Sequence, residues 1–102
     1  MSTKTYMIVF VSIHDRDKFL SGYAPAAASL VEQFGGRYVL RAQGGQTLEG
    51  AIPDGSSAVI SEWPDREAAL RFWNSPEYQE AKTLREGICD AHVALIDAPS
   101  LS

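Results

Sequence analysis

The stretch WPDREAALRFWNSPEYQEAKTLR, residues 63–85, decides how the rest of the chain is read. Asp65 is a good N-cap, because its carboxylate can accept from the amides of the first helical turn. Ala68, Ala69, Phe72 and Trp73 then recur at helical spacing and make one apolar face. Ser75-Pro76 interrupts the pattern. Proline inside a helix costs about 3 kcal/mol, whereas at the first turn its missing N–H costs little. The spacing therefore predicts two segments meeting at an angle, with Trp73 and Tyr78 on their buried sides, and no continuous helix from Arg66 to Glu86. The second segment carries Tyr78, Ala81, Leu84 and Ile88 at intervals of three and four.

Working outward, Ser57 to Trp63 reads as a strand that feeds this helix pair. Tyr6 to Ile13 is an almost unbroken β-branched and aromatic run, the pattern of a central strand covered on both faces. Lys18 to Phe34 shows apolar residues at helical spacing, with Pro25 forcing an irregular first turn or a helix that properly begins near it. Gly35-Gly36 closes that helix and reverses the chain into a second strand, Arg37 to Ala42. Gly44-Gly45 interrupts the strand, and Gln46 to Gly50 can resume it, which predicts a bulge or bend there. Pro53-Asp54-Gly55 is a turn, and Ala91 to Ile96 is the last strand.

The order strand, helix, strand, strand, helix pair, strand is that of an α+β, ferredoxin-like βαββαβ fold with a four-stranded antiparallel sheet. Helices can cover one face of such a sheet. The strands nevertheless carry apolar residues at both parities: Ile8 and Phe10 against Met7, Val9 and Val11, and Val93 and Leu95 against Ile96. The uncovered face calls for a second copy of the chain, giving a dimeric α/β barrel.

The 102 residues, 45% apolar and 22% charged, suit one domain, with an ordered core over about 4–97. Thirteen acids and nine bases, mixed along the chain to a net charge of −4, leave no basic stripe for nucleic acid or an anionic membrane. Cys89 is the only cysteine, which excludes an internal disulfide and suits a reducing, cytoplasmic setting. The N-terminal apolar run is too short to span a membrane.

Several segments together resemble the domain of unknown function 1330 family: Gly35-Gly36-Arg37-Tyr38, Arg41, Leu48-Glu49-Gly50, Ile60-Ser61-Glu62-Trp63-Pro64, Glu67-Ala68-Ala69, Asn74-Ser75-Pro76-Glu77-Tyr78, and Lys82 with Arg85. The resemblance covers nearly the whole chain. It implies membership of the dimeric α/β-barrel superfamily, a dimer whose sheets face each other, no established activity and no obligatory cofactor. Ile96-Asp97-Ala98 departs from the acidic residue and glycine that more often end the family's domain, and Trp63 stands where phenylalanine is common.

Candidate chemistry rests on polar residues at positions that should be covered. Arg37, Arg41 and Glu62 lie on strands, where an ionised group must be paired or line a polar cavity. Strict alternation puts Arg37, Val39 and Arg41 on one face and Tyr38 with Leu40 on the other. The arginines either pair with Glu49 and Glu62 or project into solvent, or else one of them holds a carboxylate with its planar fork. His14 and His92 are too isolated to imply a metal, and no cofactor motif is present. Tyr23, Trp73 and Tyr78 have helical spacing that suits core packing, with polar atoms that still need partners. Glu77, Glu80, Lys82, Arg85 and Glu86 read as a solvated helix face.

The combined expectation is a homodimer with an inter-sheet or helix-to-sheet cavity for a small anionic or phenolic organic molecule, lined by Arg41, Glu62, Tyr23 and His14, with Arg37, Trp73 and Tyr78 as further candidates. Two alternatives stand beside it. One is a cofactor-independent enzyme, of oxygenase or isomerase type, acting on a small aromatic or lactone-like compound. The other is a structural or interaction dimer without a ligand.

Overall fold

Strand pairing settles the architecture, which a computed structural model describes for residues 3–99. The apolar run at the N-terminus forms β1, Thr3–Ile13, flanked by β3, Ser57–Trp63, and by β4, Cys89–Pro99. The short β2, Arg37–Ala42, adds outside β3, so the sheet order is β2-β3-β1-β4. Every pairing is antiparallel. This is the α+β, ferredoxin-like arrangement, and β1 is central in it, as its composition requires.

The helix pair follows its capping and proline signals, but it stops short of Ile88, and Leu84, expected on its apolar face, is 50% exposed. Asp65 caps α3, Arg66–Trp73, by accepting from the Ala68 amide at 2.8 Å. Ser75 serves both segments: its Oγ donates to the Phe72 carbonyl at 2.8 Å and accepts from the Tyr78 amide at 3.0 Å. Pro76 then opens α4, Pro76–Lys82, and a single 3₁₀ turn, Thr83–Arg85, closes it.

The first helical region is less regular, for the reason Pro25 supplies. A single turn, α1, Arg16–Lys18, is capped by Asp15 and runs into a π turn over Phe19–Tyr23. The main helix, α2, Ala24–Gln33, begins at the residue before the proline. In the π turn the Ala24 amide reaches back five residues to the Phe19 carbonyl, so the ladder widens where proline can supply no N–H. The same widening sets Phe19, Leu20 and Tyr23 beside the sheet.

Two expectations about β2 and its loop need correction. The irregularity in β2 lies between Tyr38 and Leu40, not at Gly44-Gly45. It leaves Val39 as the extra residue, so strict alternation fails there. Tyr38 pairs with Ser61 and Arg41 with Val59, while Arg37 pairs with Glu62 and Leu40 with Ile60. Tyr38 and Arg41 therefore share the helix-covered face, and Arg37 and Leu40 share the other. Gln46 to Gly50 does not resume the strand. It belongs to a loop closed by Gly45 and Ser56, with Thr47 held by Asp54 and Ile52.

The core lies between sheet and helices, around Trp63, Phe72, Met7, Val31, Ala69 and Tyr78. Trp63 is fully buried, and its indole N–H donates to Ser61 Oγ at 2.9 Å. Gly35 and Gly36 have separate duties. Gly35 takes the left-handed conformation, with φ of 93°, that ends α2. Gly36 leaves room for the indole: a Cβ there would lie 2.7 Å from Trp63 Cζ2. With Trp63 enclosed, Gly36→Ala should cost about 1–3 kcal/mol through overpacking. Urea denaturation should show a lowered midpoint at unchanged slope.

Odd-numbered residues of β1 face the helices, so Met7 and Val11 are buried. Even-numbered residues face away. Register aligns Leu40, Ile60, Ile8 and Ala94 into a row that crosses all four strands on that open face. Phe10, Leu40 and Ile96 remain 37%, 41% and 52% exposed there, an apolar surface that the chain's own helices do not reach.

Candidate functional site

Between the helix layer and the sheet lies a cavity of about 280 Å³. It occupies the end of the sheet where β1 and β2 finish and β3 and β4 begin, since Val11 pairs with both Ser57 and Ala91. Its sheet wall is Met7, Val9, Val11, Val59 and Val93, and its helix wall includes Phe19, Ala27, Val31 and Phe72. The exposed residues Arg16, Leu20, Arg41 and Gln43 mark the mouth. Tyr78 and Phe72 are buried at the inner end.

The polar groups in this apolar enclosure come from separate elements. The π turn sets Tyr23 against Tyr78 of α4, with the two hydroxyl oxygens 2.7 Å apart. One hydroxyl donates to the other, leaving the second proton free for a further acceptor. Burial pushes the Tyr23 phenol well above its ordinary range, and the neighbouring Tyr78 pushes the same way. Tyr23 is thus a neutral hydrogen-bonding group. Tyr38 is also raised by burial, with Arg41 opposing. The Arg41 guanidinium stands 4.8 Å from the Tyr38 ring centre, a cation–π contact that the bulge in β2 makes possible.

Arg85 is the deepest charge. Its guanidinium carbon lies 5.5 Å from the centre of the Tyr23 ring, and its Nε is enclosed with no hydrogen-bond partner among the described residues. Burial works against this charge, and the surrounding tyrosine oxygens more than compensate, so the arginine's pKa moves upward. Arg85 lines the cavity beside Tyr23 and Tyr78, so its charge is placed to act on a ligand oxygen there.

Of the seven sequence-derived candidates, the cavity gathers Arg41, Tyr23, Trp73 and Tyr78. Glu62 and Arg37 lie elsewhere, on the open face, because their register places them opposite the helix-facing row. There Glu62 accepts from Arg37 Nε at 2.9 Å and from the Tyr6 hydroxyl at 3.0 Å. These bonds, Arg37's first, hold the Glu62 carboxyl below its ordinary range. Pairing of Arg37 with Glu62 across strands is thus one of the two arrangements expected for the arginines. His14 also falls outside the cavity lining, one residue past Ile13, with Nε2 2.7 Å from Asp90 and both side chains largely exposed.

Arg85, Tyr38 and Arg16 line the cavity although their sequence context gave them no such place. Arg85 does not belong to a solvated face, and Lys82 is not fully solvated either: its Nζ lies 4.8 Å over the Trp73 ring. The signal for Arg85 was present. It falls four residues after Ala81 and seven after Tyr78, on the stripe those buried residues define. Tyr38 had no such signal, because nothing in the sequence around Val39 announces a bulge.

Fold and site together define an α+β, ferredoxin-like protein with an arginine- and tyrosine-bearing cavity between helices and sheet. The chain belongs to the family described as Domain of unknown function (DUF1330), whose model matches residues 4–99. No curated protein matches it by sequence. Among solved structures it is similar to RPA0582 of Rhodopseudomonas palustris, a protein of unknown function. That match has a TM-score of 0.78 at 18% identity and covers 98% of this chain and 85% of that one. It is also similar to SnoaB, a cofactor-independent oxygenase from Streptomyces nogalater, with a TM-score of 0.67 at 19% identity, covering 98% and 96% of the two chains. At3g17210 of Arabidopsis thaliana matches at 0.64 and 17% identity, covering 96% of each chain. At these identities the likeness is one of fold. Among the described residues no helix is long and apolar enough to cross a membrane.

Proposed function

We propose that the protein is a homodimer that binds a small anionic or phenolic aromatic compound in the cavity of each subunit. The observation that carries this reading is the composition of the lining: Arg16, Arg41 and Arg85 with apolar walls, and no carboxylate among the described lining residues. Uncompensated guanidinium groups around a space of about 280 Å³ favour an anion no larger than one or two rings, just below the drug-sized range of about 300–1,000 Å³. Dimerisation is supported by the apolar row across the open face, which a second copy would cover.

Trp73 lines the cavity and Trp63 does not, so indole fluorescence reports on occupancy. Salicylate and benzoate should quench it saturably, while benzamide, uncharged and of similar size, should do so far more weakly. Equal responses to all three compounds would remove the case for an anion site.

A second reading is a cofactor-independent oxygenase or isomerase acting on such a compound. It is favoured by the same donor set, which would stabilise charge developing on a substrate oxygen, and by the fold likeness to SnoaB. Neither a carboxylate nor an imidazole lines the cavity among the described residues. Such a reaction would therefore begin from a substrate that is already ionised.

A further inference from the structure

The cavity treats two kinds of acidic oxygen differently. Its own phenol, Tyr23, is held neutral: burial disfavours the anion, the hydroxyl is engaged by Tyr78, and the face of the ring lies under Arg85. An incoming oxygen would meet another environment, because the Arg85 charge lines the space and one hydroxyl proton of the Tyr23–Tyr78 pair is unspent.

The groups that can act on such an oxygen come from five of the elements around the cavity. They are Arg16 of α1, Tyr23 of the π turn, Tyr38 and Arg41 of β2, Tyr78 of α4 and Arg85 of the 3₁₀ turn. The β3 and α3 linings add no titratable side chain. Nearby but outside the lining, Cys89 of β4 points its thiol at the Arg85 carbonyl, 3.7 Å away, and Lys82 is over Trp73. Asp15 caps α1, Asp90 is taken up by His14, and Asp17 and Lys18 are exposed on α1. The set that lines the space is positive or neutral, and all six members can donate a hydrogen bond.

Resting on the ligand-binding reading, we propose that the cavity selects the ionised form of a phenol or enol, so that such a compound becomes a stronger acid when bound than in water. The geometry gives the reason. Apolar walls alone would oppose a buried phenolate, but a fixed guanidinium charge and a pre-placed hydroxyl donor reverse the balance where no carboxylate competes for them. The preferred substrates are then aromatic compounds whose hydroxyl ionises near neutrality, such as acidic phenols and hydroxyquinones. A benzoate, ionised in either place, would bind without showing the effect.

The probe is 4-nitrophenol, whose anion absorbs visible light and whose neutral form does not. Titrated with pH in the presence of saturating intact protein, it should ionise at least about one pH unit lower than free, a tenfold preference for the anion, about 1.36 kcal/mol. Arg85→Lys should keep most of that displacement and Arg85→Gln should lose most of it. Bound 4-nitrophenol ionising at or above its free value, while benzoate still quenches Trp73, would overturn this inference and leave anion binding intact. No saturable binding of 4-nitrophenol, benzoate or salicylate would overturn both. The decisive reading is made on the unaltered protein, so a variant that fails to fold does not shield the proposal.

Discussion

Phe10→Asp is expected to run in light scattering at about the monomer mass of 11.1 kDa, and the unaltered protein at about twice that. Phe10 sits on β1 at the centre of the sheet, on the face away from the helices, between Ala58 and His92. In the isolated subunit it is 37% exposed, so an aspartate there stays hydrated and the fold survives. Across a two-fold interface the same change buries two carboxylates without partners, each costing several kcal/mol. Circular dichroism should therefore show an intact fold in the monomer. A Phe10→Asp protein that remains dimeric would place the subunit contact on some other surface. Val9 and Val11, the neighbours in sequence, face the helix side, so charges there would attack the core instead.

Arg85→Gln should weaken salicylate binding by roughly tenfold to a hundredfold, the range for hydrogen bonds to a charged group. Arg85 lines the cavity and also stacks on Tyr23, so circular dichroism should accompany the measurement to separate the lost charge from a loosened fold. Glutamine keeps much of the stem that fills the space over Tyr23 while removing the charge. Arg41→Ala should have a smaller effect, because Arg41 is exposed at the mouth and water screens its charge. If Arg41→Ala proves the more damaging, the anion sits at the mouth, against Tyr38, and Arg85 serves the fold.

These two sites also show what the sequence could and could not convey. Proline and capping residues made the Ser75-Pro76 break and the late start of α2 legible, since each constrains the backbone by itself. Apolar runs at both parities made the uncovered sheet face legible. The site was only half legible. The helical spacing of Tyr23, Trp73 and Tyr78 suited core packing, and all three line the cavity. The charged candidates depended on parity, and one extra residue at Val39 put Arg41 with Tyr38 and separated it from Arg37. Glu62 was a plausible partner for a cavity arginine until pairing with Tyr6 and Arg37 placed it on the opposite face. Arg85 was hidden by its charge: the helical stripe through Tyr78 and Ala81 marked it as inward-facing, while its residue type argued for solvent. A cation on a buried stripe is an informative conflict, because burial without a partner is costly and calls for a reason.

The most direct test of a ligand site between helices and sheet is a nuclear magnetic resonance titration of the isotope-labelled protein with salicylate. Amide shifts should concentrate on Ile13, Leu20, Tyr23, Ser57 and Arg85 around the cavity and saturate together. Shifts confined to the open face around Ile8, Phe10 and Ile96, or scattered without saturation, would contradict it.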